Sequence, residues 1–300
     1  MQTRLPEATR VSVRRVYALI NPTSGAVGPA TGDELTALFA ELGLDHRVSE
    51  LLPGQFEGGV RAAIDADPDL IVVLGGDGTA RLVAERCGPR GPLVAPLSGG
   101  TMNKLGRALY GAKSWREALV SVLAQGEARW MPGGEVGGRM FYCSAVLGAP
   151  AQWALAREAF RAHMLSRAWR RALSVFRNPV PAQLHYEIND KIGRSLAIGL
   201  ICPTISRALG DDEGALEAAV LDLRDTRAAV RLALNHVFRD WRDDPDVTVL
   251  PFVKGRTSSR DSIPAMLDGE FFRFGRQVDA RFLPRAFRAL APVVEEDAAA

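Results

Sequence analysis

A strand-like apolar run ends in glycines around a single carboxylate in the stretch LIVVLGGDGTARLV, residues 70–83. Gly75, Gly76 and Gly78 lack the side chains that would keep a bulky anion away from backbone N–H groups. Thr79 begins a predicted helix, whose N-terminus adds unpaired donors and partial positive charge. The stretch is therefore suited to cradling phosphate.

Asp77 is the informative residue in this turn, because a carboxylate beside phosphates is repulsive unless something offsets its charge. It could hold Mg²⁺ directly or through water, or accept a proton from an attacking hydroxyl. The alternative is a tight turn in which Asp77 caps the helix. The turn taken alone leaves these alternatives open.

Two further turns of similar composition follow other predicted strands. The first is INPTSG, residues 20–25, and the second lies within PLSGGTMNKLGRAL, residues 96–109. Three glycine-bearing turns at one edge of one sheet favour a composite nucleotide site over three unrelated turns. A Walker A lysine pattern is absent, and the first turn lacks G-x-G-x-x-G, which disfavours a P-loop or dinucleotide-binding fold.

The turns must be positioned by a parallel sheet, because residues 13–125 alternate short apolar runs with helical patterns. The predicted strands are Val16–Ile20, Arg47–Leu51, Leu70–Leu74 and Leu93–Ala95. The predicted helices are Asp33–Leu42, Phe56–Asp65, Thr79–Arg86, Asn103–Leu109 and Trp115–Gln125.

From about residue 128 the pattern changes to strands separated by longer gaps, with helical insertions at about 152–176 and 225–241. The strands are predicted at Met140–Val146, Gln183–Ile188, Leu196–Ile201 and Ala218–Leu223. We therefore expect an α/β N-terminal domain with a parallel sheet over residues 13–127, and a β-rich, mostly antiparallel C-terminal domain over residues 128–285. Residues 286–300 are predicted to form a C-terminal tail.

The order and spacing of four short motifs resemble the catalytic-domain family of diacylglycerol and sphingosine kinases, which includes bacterial soluble lipid kinases. The motifs are NP-x-SG at residues 21–25, GGDGT at 75–79, G-T-x-N at 100–103 and DGE at 268–270. The resemblance spans about residues 13–285. It implies a fold like that of NAD kinases and diacylglycerol kinases.

The resemblance implies an ATP- and Mg²⁺-dependent lipid kinase whose C-terminal domain closes over a cleft for the lipid acceptor. Glu270 would accept the proton of the lipid hydroxyl, beside Asp77 as a second catalytic residue. Without the other motifs, the Asp-Gly before Glu270 would indicate an ordinary hairpin turn. The implied nucleotide-binding residues are Asn21, Pro22, Thr23, Ser24, Gly25, Ser49, Gly75, Gly76, Asp77, Gly78, Thr79, Gly100, Thr101 and Asn103.

Three features depart from the family pattern. Lys104 stands where the family often has an acidic residue, and Arg81 where it often has asparagine. Both changes add positive charge, which could favour phosphate or mark a solvated helix face. The stretch that would match a structural Mg²⁺ site carries Asp212 and Glu213 at a shifted spacing, so a surface loop is the alternative there.

Composition constrains the partners. A net charge of +2 is too small to suggest nonspecific nucleic-acid binding, so no nucleic-acid partner is expected. The three scattered cysteines are typical of core residues in a reducing compartment. The N-terminal residues form no apolar signal region, and no apolar run approaches the roughly 18 residues of a membrane span. We expect a cytoplasmic protein.

One segment suggests peripheral contact with an anionic membrane. Trp153–Pro179 combines apolar residues at helical spacing with many arginines. The alternative is a helix packed on its own domain with a solvated arginine face. The sequence does not define the oligomeric state.

Two other activities compete with lipid phosphorylation. NAD kinase-like enzymes also use a GGDGT loop, but NP-x-SG, the late DGE and the arginine-rich segment favour a lipid. A nucleotide- or lipid-binding protein without transfer activity is the other alternative, which the departures at Arg81 and Lys104 support.

Overall fold

The chain forms two compact units, Met1–Gly133 with Pro284–Ala300, and Gly134–Leu283. The computed structural model describes residues 9–148, 150–151, 183–206, 209, 214–221 and 247–293. The predicted domain boundaries after residues 127 and 285 lie close to the unit boundaries after residues 133 and 283.

The first unit contains a parallel sheet with helices between its strands. The parallel strands are Arg15–Ile20 (β2), Asp45–Glu50 (β3), Leu70–Gly75 (β4), Leu93–Ser98 (β5) and the end of Gln277–Ala291 (β17). In addition, Thr9–Arg10 (β1) pairs antiparallel with the start of Glu127–Val136 (β6). Its helices are Thr31–Glu41 (α1), Phe56–Asp65 (α2), Asp77–Cys87 (α3), Lys104–Tyr110 (α4) and Trp115–Gln125 (α5). A short 3₁₀ turn spans Gly88–Arg90.

The sheet order β3-β2-β4-β5-β17 brings three strand ends to one level, and all these strands pair in parallel. Ile20 of β2 lies beside Leu74 of β4, and Leu74 lies beside Leu97 of β5. All residues of β4 are buried, which explains its unbroken apolar sequence. The turns that follow β2, β4 and β5 therefore leave the sheet at the same edge.

Two of these turns contact each other through their backbones. The Gly99 N–H donates to the Gly75 carbonyl over 3.0 Å. A Cβ atom added to Gly99 would lie 2.7 Å from the Gly75 nitrogen, and one added to Gly100 would lie 2.6 Å from the Gly76 Cα. Because backbone atoms cannot move aside as a side chain can, glycine is required at positions 99 and 100.

The second unit contains two antiparallel sheets. Its other strands are Arg139–Phe141 (β7), Ser144–Gly148 (β8), Leu184–Ile188 (β9), Lys191–Ser195 (β10), Ala197–Ile201 (β11), Leu216–Leu221 (β12), Val247–Phe252 (β13), Lys254–Ser258 (β14), Ile263–Leu267 (β15) and Glu270–Phe274 (β16). One sheet has the order β13-β12-β11-β8-β15-β16, and the first part of β17 joins β10-β9-β14 in the other. Leu147 and Phe252 share one buried apolar cluster with Ile188 and Phe282.

These sheets confirm the predicted fold class, an α/β unit with a parallel sheet and a mostly antiparallel β-rich unit. The strand predicted at Met140–Val146 is instead two strands, β7 and β8, because the N–H groups of Tyr142 and Cys143 donate to the Asp268 carboxylate. The helical insertions predicted at about 152–176 and 225–241 lie outside the described residues.

The prediction of a tail over residues 286–300 is wrong for its first six residues. β17 continues to Ala291, and Ala289 pairs in parallel with Val94 of β5. Phe287 and Leu290 are fully buried, and the Tyr110 hydroxyl donates to the Leu290 carbonyl over 2.8 Å. Burial of these apolar side chains adds the last strand to the parallel sheet.

Gly100→Ala is expected to lower stability, because its methyl group would force the two turns apart. Overpacking of this kind costs about 1–3 kcal/mol. We expect a melting temperature several degrees lower in thermal unfolding without nucleotide.

Gly76→Ala is the matched control for this substitution. A Cβ there would lie 4.0 Å from the nearest atom, Gly100 Cα, and the Gly76 φ of −84° suits alanine. Its melting temperature should match that of the wild type. Equal melting temperatures for the two variants would contradict the proposed backbone contact.

Candidate functional site

Backbone hydrogen bonds join the three glycine-bearing turns of the first unit. The Asn21 N–H donates to the Leu74 carbonyl, and the Ala26 N–H donates to the Gly99 carbonyl, each over 2.9 Å. With the bond from Gly99 to Gly75, every turn is joined to both of the others. The structure therefore brings most of the predicted nucleotide-binding residues together at the carboxyl edge of the parallel sheet.

The Asn21 side chain connects the first turn to the second. Its Nδ2 donates to the Thr79 hydroxyl over 3.2 Å, while its Oδ1 accepts from the Thr23 N–H and hydroxyl over 3.1 and 2.7 Å. A Cβ on exposed Gly25 would lie 4.0 Å from the Thr101 hydroxyl oxygen, so the first and third turns also approach each other there. Pro22 and Ser24 are half-buried between these contacts.

The N-terminus of α3 gives this edge a feature suited to anion binding. The N–H groups of Asp77, Gly78 and Thr79 precede the first helical hydrogen bond, which runs from the Ala80 N–H to the Gly76 carbonyl. Gly76, the N-cap, is extended and has no side chain to cover them. These donors and the helix dipole together form a site for negative charge.

Asp77 accepts a backbone hydrogen bond that its position in the sequence did not indicate. Its Oδ1 accepts the Leu105 N–H over 3.3 Å, at the beginning of α4. Asp77 thus caps α4 and not, as the turn interpretation supposed, its own helix. One carboxylate oxygen therefore connects the second turn to the helix after the third.

Asn103 closes the third turn on itself. It has a left-handed φ of 50°, its Oδ1 accepts the Gly100 N–H over 2.7 Å, and its Nδ2 donates to the Gly100 carbonyl over 2.6 Å. In this conformation the Gly100 N–H is not available to an anion. Gly100 and Asn103 therefore shape the site, whereas exposed Thr101 faces solvent.

Ser49 is not joined to the turns by any hydrogen bond recorded among the described residues. It pairs with Leu19 inside β3, and its hydroxyl lies 3.1 Å from the Tyr17 hydroxyl. Its place at a strand end suggested a ligand contact, but its hydroxyl is engaged within the sheet.

The two departures from the family pattern lie in different environments. Arg81 is 7% exposed and forms an ion pair with Glu85 on the same helix, with 2.8 Å between Nη1 and Oε2. The interpretation of Arg81 as part of a solvated helix face is therefore wrong. Lys104 is half-buried and is the first residue of α4.

Glu270, in the second unit, is exposed at the start of β16. The residue before its turn, Asp268, is 9% exposed and accepts three backbone N–H groups. Sequence reasoning treated Asp268 as a hairpin signal and missed this anchoring role. Its donors lie more than 120 residues away along the chain, so no local pattern could have revealed them.

In the described part of the chain, no group of three or more His, Cys, Asp or Glu side chains could hold a metal ion. Asp212 and Glu213 lie outside that part, as does the segment Trp153–Pro179. Burial raises the pKa of Cys87 to about 12 and also raises that of Cys202, so both thiols stay protonated at neutral pH.

Among the helices within the described residues, none has the length and apolar character needed to cross a bilayer.

Solved structures with this fold include bacterial diacylglycerol kinases. A candidate diacylglycerol kinase from Bacillus anthracis str. Sterne is 17% identical, with a TM-score of 0.68 over 94% of this chain and 98% of that chain. A diacylglycerol kinase structure from the same organism is 15% identical, with a TM-score of 0.66 over 94% and 98%. An NAD kinase from Archaeoglobus fulgidus in complex with ATP is 11% identical, with a TM-score of 0.51 over 92% of this chain and 93% of that chain.

A family model described as the diacylglycerol kinase catalytic domain matches residues 15–136, which contain all three turns of the candidate site. No curated protein matches the chain in sequence. At such low sequence identities, the similarity to the solved structures shows a shared fold alone. The family match adds sequence evidence for a kinase. Residues 15–136 are therefore similar in sequence to the catalytic domain of diacylglycerol kinases.

Proposed function

We propose that this protein is an ATP-dependent lipid kinase, which transfers the γ-phosphate of ATP to a hydroxyl of a diacylglycerol- or sphingoid-type lipid. The observation that carries this proposal is the uncovered N-terminus of α3, held by glycine turns at the sheet edge. The family match of residues 15–136 supports the kinase activity.

ATP fits this edge because its phosphates need several donors and little steric bulk. The amides of Asp77, Gly78 and Thr79 would bind the phosphates, and Gly76 leaves room for them. The solved NAD kinase with a similar fold was crystallised with ATP, which supports adenine nucleotide as the donor. The first turn, with Ser24 and Gly25 at its tip, would complete the binding surface.

Mg²⁺ fits a site with one carboxylate next to phosphates, because Mg²⁺ is usually held by one or two carboxylates together with substrate phosphates. Asp77 would supply that carboxylate through Oδ2, since Oδ1 accepts the Leu105 N–H. When bound, the cation would neutralise part of the phosphate charge. This explains why a carboxylate is tolerated among anion-binding amides.

Glu270 is the proposed proton acceptor. As the acceptor hydroxyl oxygen forms its bond to the γ-phosphorus, the bond from that phosphorus to the bridging oxygen breaks and ADP leaves. The hydroxyl proton passes to the Glu270 carboxylate. The products are the phosphorylated lipid and ADP.

The proposal is tested by incubating the purified protein with Mg²⁺ and γ-labelled ATP, with diacylglycerol, a sphingoid base or NAD as acceptor in separate reactions. We expect label in a lipid. Label only in NAD would replace the lipid proposal with an NAD kinase activity. ATP binding without transfer to any acceptor would identify a nucleotide-binding protein.

Asp77→Asn should lower kcat by about 100-fold or more, because the carboxamide loses the charge that would hold Mg²⁺. It should still fold, since the amide oxygen can accept the Leu105 N–H. Steady-state kinetics with the preferred acceptor and thermal unfolding measure the two effects.

Asp65→Asn is the matched control for Asp77→Asn, because Asp65 is an exposed carboxylate at the last residue of α2. It changes a charge at the end of a helix that leads back to the start of β4, at the edge of the sheet opposite to the three turns. We expect near wild-type kcat. If both variants turned over normally, Asp77 would have no part in the reaction.

Glu270→Gln should lower kcat by about 100-fold or more, because glutamine cannot accept the hydroxyl proton. The KM for ATP should change little. Glu187→Gln, at an exposed strand position in the same unit, serves as the control. A Glu270→Gln enzyme with wild-type kcat would exclude Glu270 as the proton acceptor.

A further inference from the structure

Asp268 is a buried charged residue with more hydrogen bonds than a hairpin turn needs. Its Oδ2 accepts the Tyr142 N–H over 2.7 Å, and its Oδ1 accepts the N–H groups of Cys143 and Ser144 over 2.9 and 2.8 Å. The Asp268 N–H in turn donates to the Ser144 carbonyl over 2.9 Å. Four hydrogen bonds thus fasten this one residue to Tyr142–Ser144, the residues between β7 and β8 and the first residue of β8.

The turn that holds Asp268 leads directly to Glu270. Asp268 and Gly269 have positive φ values of 48° and 91°, and Leu267 pairs with Glu270 across the turn. This is the geometry of a two-residue hairpin turn, which aspartate and glycine tolerate well. The hydrogen bonds that hold Asp268 therefore also hold the start of β16, where Glu270 lies.

The segment that receives Asp268 is itself held from its other side. The Cys202 N–H donates to the Cys143 carbonyl over 3.0 Å, next to the pairing of β8 with β11. The negative charge of Asp268 adds to burial in raising the pKa of the Cys202 thiol. The hairpin is thus anchored to the interior of its own unit and not to a solvent-exposed loop.

The anchoring depends on a carboxylate. Three N–H donors converge on two acceptor oxygens, and asparagine offers only one oxygen. Its NH₂ group would face at least one of these N–H donors, which leaves a buried donor unpaired. The isosteric change Asp268→Asn therefore loosens the anchor while it preserves side-chain volume.

We infer that Asp268 is the positioning residue for Glu270, and this inference rests on the proposed function. Glu270 is exposed and lies beside a turn, a location where a side chain is normally mobile. A proton acceptor must lie within hydrogen-bond reach of the hydroxyl, and small displacements cost large factors in rate. The buried carboxylate fixes the backbone from which Glu270 projects.

The experiment is a double-mutant cycle on kcat with Asp268→Asn, Glu270→Gln and the double variant. We expect Asp268→Asn to lower kcat by about 10- to 100-fold, with the KM for ATP within about 2-fold of wild type. In the Glu270→Gln background the same change should lower kcat by less than about 2-fold, because no proton acceptor remains to be misplaced.

Another two-residue turn of this unit supplies the control. Asn189 and Asp190 also have positive φ values, between β9 and β10, and Asp190 is exposed. Asp190→Asn should leave kcat unchanged. If Asp268→Asn fails to fold, Gly269→Ala provides the second variant, because it strains the turn at φ 91° without touching the carboxylate. It should lower kcat several-fold at unchanged KM for ATP.

The outcomes separate the two proposals. Wild-type enzyme that phosphorylates no lipid would overturn the proposed function and the inference with it. An active wild type, with Glu270→Gln impaired but Asp268→Asn or Gly269→Ala at full kcat, would overturn only the inference. An equal fold-loss from Asp268→Asn in both backgrounds would also overturn it, since that result indicates a general structural role.

Discussion

The contact between two glycine turns is the constraint on which the candidate nucleotide site depends. Gly99 and Gly100 lie so close to the backbone of Gly75 and Gly76 that neither Gly99 nor Gly100 could carry a side chain. This contact sets the beginnings of α3 and α4 side by side, so that Asp77 can cap α4. The donors at the N-terminus of α3 thereby lie at a fixed position beside the third turn.

The glycines of this edge therefore serve two different purposes. Sequence reasoning assigned Gly75, Gly76 and Gly78 to phosphate approach and Gly100 to nucleotide binding, because a missing side chain is compatible with a bound anion. The structure separates Gly76, which has space beside it, from Gly99 and Gly100, which have backbone in that space. It also shows the Gly100 amide bound by Asn103. A glycine needed for backbone packing and a glycine that leaves room for an anion look the same in the sequence. Only the distances in the structure distinguish the two.

Much of the first unit could be predicted because its signals are local. Periodic apolar residues between turn residues gave the bounds of α2 and α5, Phe56–Asp65 and Trp115–Gln125, and strand ends followed by glycine indicated the edge at which the candidate site lies. The errors came from contacts between distant segments. The split between β7 and β8 depends on Asp268, and the end of β17 joins the parallel sheet through pairing with β5.

Two aspartates illustrate why local patterns fail at the functional residues. Asp77 and Asp268 both accept backbone N–H groups from segments far along the chain, and both lie in glycine turns. Each carboxylate therefore has a structural task that its motif does not reveal. In Asp77 this task leaves one oxygen for chemistry, whereas in Asp268 both oxygens are engaged by the backbone. The two residues thus have different roles although their local sequences are similar.

The central claim is that the amides at the beginning of α3 bind the phosphates of ATP. A crystal structure with Mg²⁺ and a non-hydrolysable ATP analogue tests it most directly. We expect phosphate oxygens within hydrogen-bond distance of the Asp77, Gly78 and Thr79 N–H groups, with the Gly100 amide still bound to Asn103. A nucleotide bound elsewhere, with these three amides facing solvent, would contradict it.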